Sequence, residues 1–375
     1  MLAMSYNMRD KDYGDYFDAL ERRINKNQDN VPTGTVRPSA AKAPRYNRRR
    51  FRVIRIKFGF LAVITVLIVG IIVGIIGIST HFRAEKKNDK TVDKTASDVK
   101  KDVKSPTFAK YNSNTVTLGS EVDAANVIII DVEDNRVVAA KNAEDKAYPA
   151  STTKIMTLLV AVENISDLND TFTMTLDITD PLFVAEASVA GFLDGETITM
   201  QDMLYGTILP SGADAAMGLA IKIAGSEEGF VKLMNDKAKS LGLKNTHFTN
   251  VSGLYDENHY TTAHDMAVIL RTAMENDVCR KVLSTYQYTT SVTPQHSEGI
   301  LLSSTLFNYM YGTEPETATI LGGKTGFVNE SGYCIASFGK NNDSLREYIV
   351  VTFGSSSRKP AFFGQIDLYK NYAKK

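Results

Sequence analysis

The sequence lacks tryptophan, has only two cysteines among its 375 residues, and has no excess of either charge, with 43 basic and 43 acidic residues. The zero net charge excludes the global positive field on which non-specific nucleic-acid binding depends. A domain of this size can bury enough apolar surface without a disulfide, so we expect Cys279 and Cys334 to be buried thiols that pack as small apolar residues. Their spacing alone leaves open whether they pair.

The sequence also lacks a metal-binding pattern. The spacings of His247, His259 and His264 match no common ligand motif, and no Cys or His pair is suitably placed. Residues 322–325 carry two glycines before a lysine, but not the first glycine of a phosphate-binding P-loop. No metal and no cofactor are therefore expected, and the histidines are interpreted as loop and helix-start residues that hold the chain around residues 255–262.

One long uncharged run lies near the amino-terminal end. Residues 58–80 contain no charged side chain, whereas residues 30–57 contain nine Lys or Arg and no Asp or Glu. About 20 apolar residues in a helix, at roughly 1.5 Å each, cross the ~30 Å hydrocarbon core of a bilayer. The run predicts a transmembrane signal anchor, because the segment before it is too long for the n-region of a cleavable signal peptide.

The charges around this run predict the topology and the domain organisation. By the positive-inside rule, residues 1–57 lie in the cytoplasm and everything after residue 80 lies outside a single-pass cell-membrane protein. Residues 1–57 have the polar composition of a disordered basic tail. Residues 81–114, rich in Lys, Asp, Thr and Ser, predict a flexible extracytoplasmic stalk. One folded domain is expected over residues 115–375.

The patterning of this domain places strands at both ends and helices between them. The expected strands cover residues 127–130, 136–140, 333–338 and 348–353, and the expected helices cover residues 154–164, 201–209, 212–224, 227–241 and 361–373. A further helix is expected to begin at Thr262 with Asp265 in the last position of a capping box. This order indicates an α/β (α+β) domain with one sheet and a helical insertion.

A serine and a lysine at the start of the first of these helices suggest acyl-transfer chemistry. Ser-x-x-Lys occurs five times, but only the copy at Ser151 and Lys154 follows a Pro-Ala pair and opens an amphipathic helix. Residues i and i+3 share a helix face, so Lys154 can reach the Ser151 hydroxyl and act as its base if its pKa is depressed. The helix N-terminus would add N–H groups where an oxyanion forms. Taken alone, the pattern would equally fit a helix-capping serine.

A second short motif, Lys324-Thr325-Gly326, precedes the carboxyl-terminal strands and is the only K-T-G in the sequence. A cation and a hydroxyl at a strand edge suit a ligand with a carboxylate. Gly326 would allow the backbone of an extended peptide to approach closely. Lys324 is also a candidate for the second cation that lowers the pKa of Lys154.

The order of these motifs is that of penicillin-binding proteins and class A β-lactamases. From about residue 126 onwards, the chain resembles the D-alanyl-D-alanine carboxypeptidases, the low-molecular-mass penicillin-binding serine peptidases. The matching segments are residues 148–154, 188–191, 209–212, 245–248, 252–254 and 323–327. The resemblance implies a serine β-lactamase/transpeptidase-like fold: an antiparallel sheet of about five strands flanked by helices, plus a helical subdomain, with the site between them.

The resemblance also implies the roles of three catalytic residues. Ser151 would attack the peptide bond between two terminal D-alanines, with Lys154 as the general base and Ser211 of the second motif as a proton shuttle. Release of one D-alanine leaves an acyl-enzyme, which water then hydrolyses. Penicillins would acylate the same serine.

Substrate-binding residues follow from the same resemblance. Lys324 and Thr325 would hold the terminal carboxylate, Gly326 would let the peptide approach, and the backbone N–H groups of Ser151 and Phe327 would form the oxyanion hole. The implied partners are a peptidoglycan stem peptide ending in D-Ala-D-Ala, β-lactams as covalent inhibitors, and the membrane through the amino-terminal helix. No nucleic acid is expected.

One position departs from the family pattern. The second motif is usually Ser-x-Asn, but here it consists of Ser211, Gly212 and Ala213, followed by Asp214. Loss of one such amide typically costs ~1–3 kcal/mol, about tenfold to a hundredfold in rate. Two alternatives therefore stay open. One is a peptide- or β-lactam-binding protein with little or no activity, and the other is a β-lactamase, although no glutamate here begins the E-x-x-L-N run typical of class A enzymes.

Overall fold

The computed structural model describes residues 108–374, except residues 311 and 314. The expected cytoplasmic tail (1–57), the transmembrane anchor (58–80) and the stalk as far as residue 107 lie outside the described residues. Within the part that is described, no helix combines the length and the apolar character needed to cross a bilayer. Ala109 is already buried and Phe108 packs against the hydrophobic core, a few residues before the expected start of the domain.

Ten strands in the described residues form one large sheet and two small ones. In chain order they are β1 (Val116–Thr117), β2 (Asn126–Asp131), β3 (Arg136–Lys141), β4 (Thr171–Thr173), β5 (Thr197–Thr199), β6 (Gln287–Thr289), β7 (Leu301–Ser303), β8 (Ala318–Val328), β9 (Gly332–Asn341) and β10 (Glu347–Ser355). The large sheet has the order β1-β3-β2-β10-β9-β8 and is antiparallel except for the short parallel pair β1 and β3.

The four expected strands are confirmed as β2, β3, β9 and β10. β8 is a further strand that the sequence pattern does not predict, and Lys324-Thr325-Gly326 lies inside it rather than ahead of the strands. Residues 322, 323 and 326 of this strand are glycines, which lower local β propensity. Pairing with β9 places Gly326 opposite Cys334. This pairing stabilises an extended conformation that the local sequence does not favour.

Nine helices occur in the described residues. They are α1 (Lys154–Asn164), α2 (Leu176–Val184), α3 (Met200–Ile208), α4 (Ala213–Ala224), α5 (Glu227–Ser240), α6 (Ala263–Met274), α7 (Asp277–Leu283), α8 (Phe307–Met310) and α9 (Arg358–Tyr372). The five expected helices are confirmed as α1, α3, α4, α5 and α9. At the start of α6 the Thr262 hydroxyl accepts the Asp265 N–H at 3.0 Å, while the Asp265 carboxylate accepts the N–H of Asn245 at 3.2 Å.

The large sheet is buried on both faces, as the central strand β2 shows. Ile128 and Ile130 belong to a core cluster that includes α1, α3, α4 and α6, whereas Val127 and Ile129 pack with α9 on the other face. All four side chains are at most 3% exposed, which the alternation of side chains along a strand explains. The helix α6 packs directly on this face of the sheet, and α1 packs against α6, α3 and α4, which positions the residues at the start of α1.

Both cysteines are free and buried, Cys279 on α7 and Cys334 on β9, which confirms the expectation of two apolar thiols. Burial raises the pKa of Cys279 to about 12 and the pKa of Cys334 to about 11. Thiols with such pKa values are protonated at neutral pH and are poor nucleophiles. Neither cysteine is therefore a candidate nucleophile.

Candidate active site

Ser151 lies in a single 3₁₀ turn, Ala150–Thr153, that leads directly into α1. The α-helix begins at Lys154, so the serine lies just before the helix rather than inside its first turn. Ala150, the residue before the serine, has a φ of 48°, which is uncommon for a residue other than glycine. Such a conformation costs roughly 1–3 kcal/mol and persists where the surrounding packing enforces it.

Residues 252–253 supply that packing. Gly253 has a φ of 82°, and a Cβ atom added to it would lie 1.9 Å from the carbonyl oxygen of Ala150. Asn250 holds the segment in place, because its Oδ1 accepts the N–H groups of Ser252 at 3.2 Å and of Gly253 at 2.7 Å. The backbone carbonyl of Ser252 is therefore held beside the turn that carries Ser151.

Lys154 joins the serine to this carbonyl. Its Nζ donates to Ser151 Oγ at 3.1 Å and to the Ser252 carbonyl oxygen at 2.6 Å. The lysine is 2% exposed. Burial lowers the pKa of Lys154 to about 7, against the opposing influence of the negative charge of Asp214. A large fraction of this amine is therefore neutral at pH 7 and able to accept the proton of the Ser151 hydroxyl.

The strand β8 passes the nucleophile turn at Gly326. A Cβ atom on Gly326 would lie 2.8 Å from the backbone nitrogen of Ser151 and 3.0 Å from that of Thr152, so a larger residue would push strand and turn apart. Within the described residues β8 is an edge strand, and such an edge can pair with an extended peptide. Next along the strand, the half-exposed ring of Phe327 packs on Tyr333 with centroids 4.5 Å apart.

Lys324 and Thr325 place a cation and a hydroxyl on the same strand. Lys324 is 1% exposed, and its Nζ donates to the carbonyl oxygen of Thr325 at 2.7 Å. Burial and the positive charge of Lys154 hold the pKa of Lys324 well below its usual value. Thr325 Oγ1 lies 2.7 Å from Oγ1 of Thr305, which is located between β7 and α8. The positive charge of Lys154 acts on Lys324, and Gly326 passes close to the backbone of Ser151, so the first and third motifs share one site. The expected lowering of the Lys154 pKa comes from burial and not from Lys324.

The second motif reaches this site through Thr305. The N–H of Thr305 donates to the carbonyl oxygen of Leu209 at 2.9 Å, two residues before Ser211. Ser211 is buried and has a φ of 69°, another left-handed conformation at a non-glycine residue. Ala213 opens α4 and is 1% exposed. The backbone just before Ser211 is therefore joined to the loop that contacts Thr325, but among the described residues the Ser211 hydroxyl forms no hydrogen bond to Ser151, Lys154 or Lys324. Position 213 carries a methyl group where the family pattern has an amide.

Asp214 is engaged by the backbone of a neighbouring segment. Its carboxylate accepts the N–H groups of Ala190 at 2.7 Å, Gly191 at 3.0 Å and Phe192 at 3.2 Å. These bonds commit both oxygens of a side chain that is 1% exposed. The carboxylate therefore fulfils a different role from the amide that the motif lacks.

Three contributors to this site are not among the residues predicted to act in it. Ser252 acts through its carbonyl, which every residue type possesses, and Thr305 lies in a loop without a motif. His259 is a third example: its Nε2 lies 2.8 Å from Thr153 Oγ1, and burial lowers its pKa to about 4. The neutral imidazole thereby helps to hold the nucleophile turn. Among the residues that the structure describes, no group of three His, Cys, Asp or Glu is arranged to hold a metal ion.

Comparisons with known proteins identify relatives of this chain. A sequence model of the D-alanyl-D-alanine carboxypeptidase family matches residues 111–357. The D-alanyl-D-alanine carboxypeptidase DacF of Bacillus subtilis is 34% identical over 243 residues, which make up 63% of this chain and 59% of the relative. DacC of Escherichia coli, also a D-alanyl-D-alanine carboxypeptidase, is 39% identical over 163 residues, 42% of this chain and 40% of the relative. The chain therefore matches these two relatives over only part of their length.

Solved structures share the fold described above. The Streptomyces K15 DD-transpeptidase is similar with a TM-score of 0.61 and 28% identity, covering 67% of this chain and 97% of that chain. A D-alanyl-D-alanine carboxypeptidase from Mycobacterium tuberculosis is similar with a TM-score of 0.59 and 27% identity, covering 66% and 90%. These similarities confirm the expected α/β architecture of a sheet with helices. On the match over residues 111–357 and on this fold, the chain belongs to the D-alanyl-D-alanine carboxypeptidase family.

Proposed function

We propose that the protein is a serine-type D-alanyl-D-alanine carboxypeptidase, which removes the terminal D-alanine from peptidoglycan stem peptides through an acyl-enzyme on Ser151. The observation that carries this proposal is the 3.1 Å contact between Lys154 Nζ and Ser151 Oγ. Burial lowers the pKa of that amine to about 7, which makes it a competent base near neutrality. Penicillins would acylate the same serine.

In the first step, Lys154 accepts the proton of the Ser151 hydroxyl while Oγ attacks the carbonyl carbon of the penultimate D-alanine. The π electrons of that carbonyl move to its oxygen and give a tetrahedral oxyanion. The backbone N–H of Ser151 and, by the family resemblance, that of Phe327 would donate to this oxygen. The close passage of Gly326 leaves the N–H of Ser151 at the edge of β8, where an extended substrate would lie.

In the second step, the bond between the carbonyl carbon and the nitrogen of the last D-alanine breaks. Lys154 gives its proton to that nitrogen, directly or through the hydroxyl of Ser211, and D-alanine leaves. A water molecule then attacks the ester carbonyl and loses a proton to Lys154. Collapse of this second intermediate returns the proton to Ser151 Oγ, which restores the free enzyme.

The terminal carboxylate of the substrate is assigned to Lys324 and Thr325. A protonated Lys324 and the Thr325 hydroxyl can both donate to a carboxylate. The charge on this carboxylate would favour the protonated form of Lys324, whose pKa is low in the free protein because of burial and the nearby Lys154. When an anionic peptide is bound, Lys154 would therefore lose its proton more readily than Lys324.

The alanine at position 213 sets the expected rate. Loss of one hydrogen bond from the motif amide should cost ~1–3 kcal/mol, about tenfold to a hundredfold in turnover, and should leave nucleophile and base in place. A wall-peptide- or β-lactam-binding protein with little turnover is therefore the second candidate. Ala213 is the observation that favours it.

A fluorescent penicillin and a D-alanine release assay separate these candidates. On the whole 375-residue chain, we expect covalent labelling that Ser151→Ala abolishes, together with release of D-alanine from Lys-type or diaminopimelate-type stem peptides. Ser226→Ala, a serine that caps α5 outside the site, is the matched control and should keep the label. No label would exclude the acyl-enzyme. Labelling without D-alanine release would favour the binding protein, and turnover of penicillin in preference to peptide would favour a β-lactamase.

We also infer that residues 58–80 anchor the protein in the cell membrane, with residues 1–57 in the cytoplasm and a stalk over residues 81–114 leading to the catalytic domain outside. The support is the uncharged run and the basic segment before it. Protease added to intact protoplasts should remove the penicillin-binding domain from the cell surface. Protection of that domain until the membrane is lysed would contradict this topology.

A further inference from the structure

The amino-terminal end of α4 holds a neighbouring segment, residues 188–192. The N–H of Ala213 donates to the carbonyl oxygen of Ser188 at 2.8 Å. The Asp214 carboxylate accepts the N–H groups of residues 190, 191 and 192 at 2.7, 3.0 and 3.2 Å. Hydrogen bonds to an ionised acceptor are about twice as strong as neutral ones, so this carboxylate makes the main hydrogen-bonded link between α4 and the segment, beside the core packing of Ala190 and Phe192.

Close packing couples this carboxylate to the second motif. A Cβ atom on Gly212, the neighbour of Ser211, would lie 2.7 Å from Asp214 Oδ1 and 2.8 Å from the backbone nitrogen of Ala190. Ser211 itself is held in the left-handed region, with a φ of 69°. A displacement of Asp214 would therefore be transmitted through Gly212 to the serine of the motif.

Asp214 also acts electrostatically on the base. Its negative charge raises the pKa of Lys154, although burial outweighs it. Lys154 in turn acts on two further titratable groups. Burial and the positive charge of Lys154 lower the pKa of Lys324. Burial lowers the pKa of His259 to about 4. His259 is therefore neutral wherever Lys154 titrates. Asp214 is therefore the charged group that acts on the protonation of Lys154.

We propose that Asp214 is a positioning residue of the acyl-transfer site: it holds residues 188–192 against the second motif and partly balances the positive charge of Lys154. The inference rests on the proposed function, because Lys154 matters here as the base of the acylation reaction. Ala213 offers Lys154 no polar group. The next residue, Asp214, acts on Lys154 through its negative charge. Asp214 acts through Lys154 and the backbone, and does not touch the reacting atoms.

The pH profile of acylation by a fluorescent penicillin tests this role. Only neutral Lys154 can accept the serine proton, so the rate should rise with pH and reach its midpoint at about pH 7 in the natural chain. Asp214→Asn removes the charge that raises this pKa, and we expect the midpoint to move to lower pH. A purely structural role would lower the rate at every pH and leave the midpoint in place.

Asp202→Asn is the matched control. Asp202 is also 1% exposed, lies in the first turn of a helix, α3, and accepts the N–H of Ser291 at 3.2 Å and the Tyr288 hydroxyl at 2.7 Å. Its replacement should leave the midpoint unchanged. Asp214→Ser provides a second neutral variant, with a smaller side chain, and should give the same shift as Asp214→Asn.

The outcomes separate this inference from the proposed function. If the natural chain shows no acylation, the proposed function fails and this inference with it. If the natural chain is acylated and both Asp214 variants keep its midpoint, the inference alone is wrong. Loss of folding in both Asp214 variants, measured by circular dichroism, would also overturn it, since Asp214 would then be a residue of general stability.

Discussion

The nucleophile side and the second-motif side of the candidate active site are held in place by different contacts. On the nucleophile side, Ser151 contacts Lys154, and Gly253 packs against the turn without room for a Cβ atom. On the second-motif side, Ala213 offers no polar group, and the Asp214 carboxylate bonds to backbone N–H groups instead. The groups that form the acyl bond are therefore held by contacts that do not involve the altered motif. This difference predicts a protein in which acylation survives and turnover is reduced.

Removal of the base should have the largest effect on the nucleophile side. Lys154→Met keeps the length of the side chain without its amine, and acylation by a fluorescent penicillin should fall by about 10²- to 10⁴-fold. The replacement removes a buried amine but also the donor to the Ser252 carbonyl, so circular dichroism should confirm that the variant is folded. Lys232→Met, at an exposed lysine on α5, is the control. Acylation within tenfold of the natural rate would show that another group is the base.

Packing against the nucleophile turn should matter next. Gly253→Ala introduces a Cβ atom 1.9 Å from the Ala150 carbonyl oxygen at a residue with a φ of 82°. We expect a loss of about 1–3 kcal/mol in the free energy of unfolding and at least a tenfold loss of acylation, measured by denaturant titration and penicillin labelling. Gly225→Ala is a matched control, because its φ is 80° and no atom lies within 4 Å of the added Cβ. Equal effects of both changes would show that the backbone conformation, and not the contact, is responsible.

The sequence predicted most of the fold because most elements are encoded locally. The apolar run at residues 127–130 and the periodic pattern of α1 both carry their own signal, and both are where the patterns place them. β8 carries no such signal, since its glycines disfavour an extended strand until β9 pairs with it. Ser151 itself lies in the 3₁₀ turn before α1 and not in the helix, and this turn combines a positive φ at Ala150 with a close contact to Gly253, neither of which has a sequence signal.

The part of the candidate site that could be predicted consists of side chains at a fixed spacing in the sequence. Ser151 and Lys154 are three residues apart, so one turn brings them together. By contrast, the Ser252 carbonyl and the Thr305 hydroxyl reach the site through tertiary packing alone. No residue type or spacing marks a backbone carbonyl, and a threonine in a loop without a motif is unremarkable in sequence. Such groups become visible only when the distant segments are folded together.

On the second-motif side, Ala213→Asn restores the amide of the family pattern. It therefore tests whether the altered motif, and not the nucleophile side, limits turnover. If the missing amide limits turnover, D-alanine release should rise about tenfold, which corresponds to ~1.4 kcal/mol of transition-state stabilisation. The rate of penicillin labelling gives a second measure of the same change. In a Lys154→Met background the substitution should give no gain, because the amide would have no base to orient. An unchanged rate in the natural background would show that the altered motif has no part in the slow step.

The smallest expected effect concerns the hydroxyl pair at the third motif. If Thr325 donates to a substrate carboxylate, its oxygen can accept from Thr305, whose Oγ1 lies 2.7 Å away, so Thr305 would direct that hydroxyl. Thr305→Val should therefore raise KM for a D-Ala-D-Ala peptide about fivefold, equivalent to ~1 kcal/mol for one hydrogen bond, and leave kcat unchanged. Thr173→Val is the matched control, since Thr173 forms a similar hydroxyl pair with Thr197, at 3.2 Å, on the small sheet of β4 and β5. A fall in kcat at constant KM would place the effect of Thr305 in the chemical step and not in carboxylate binding.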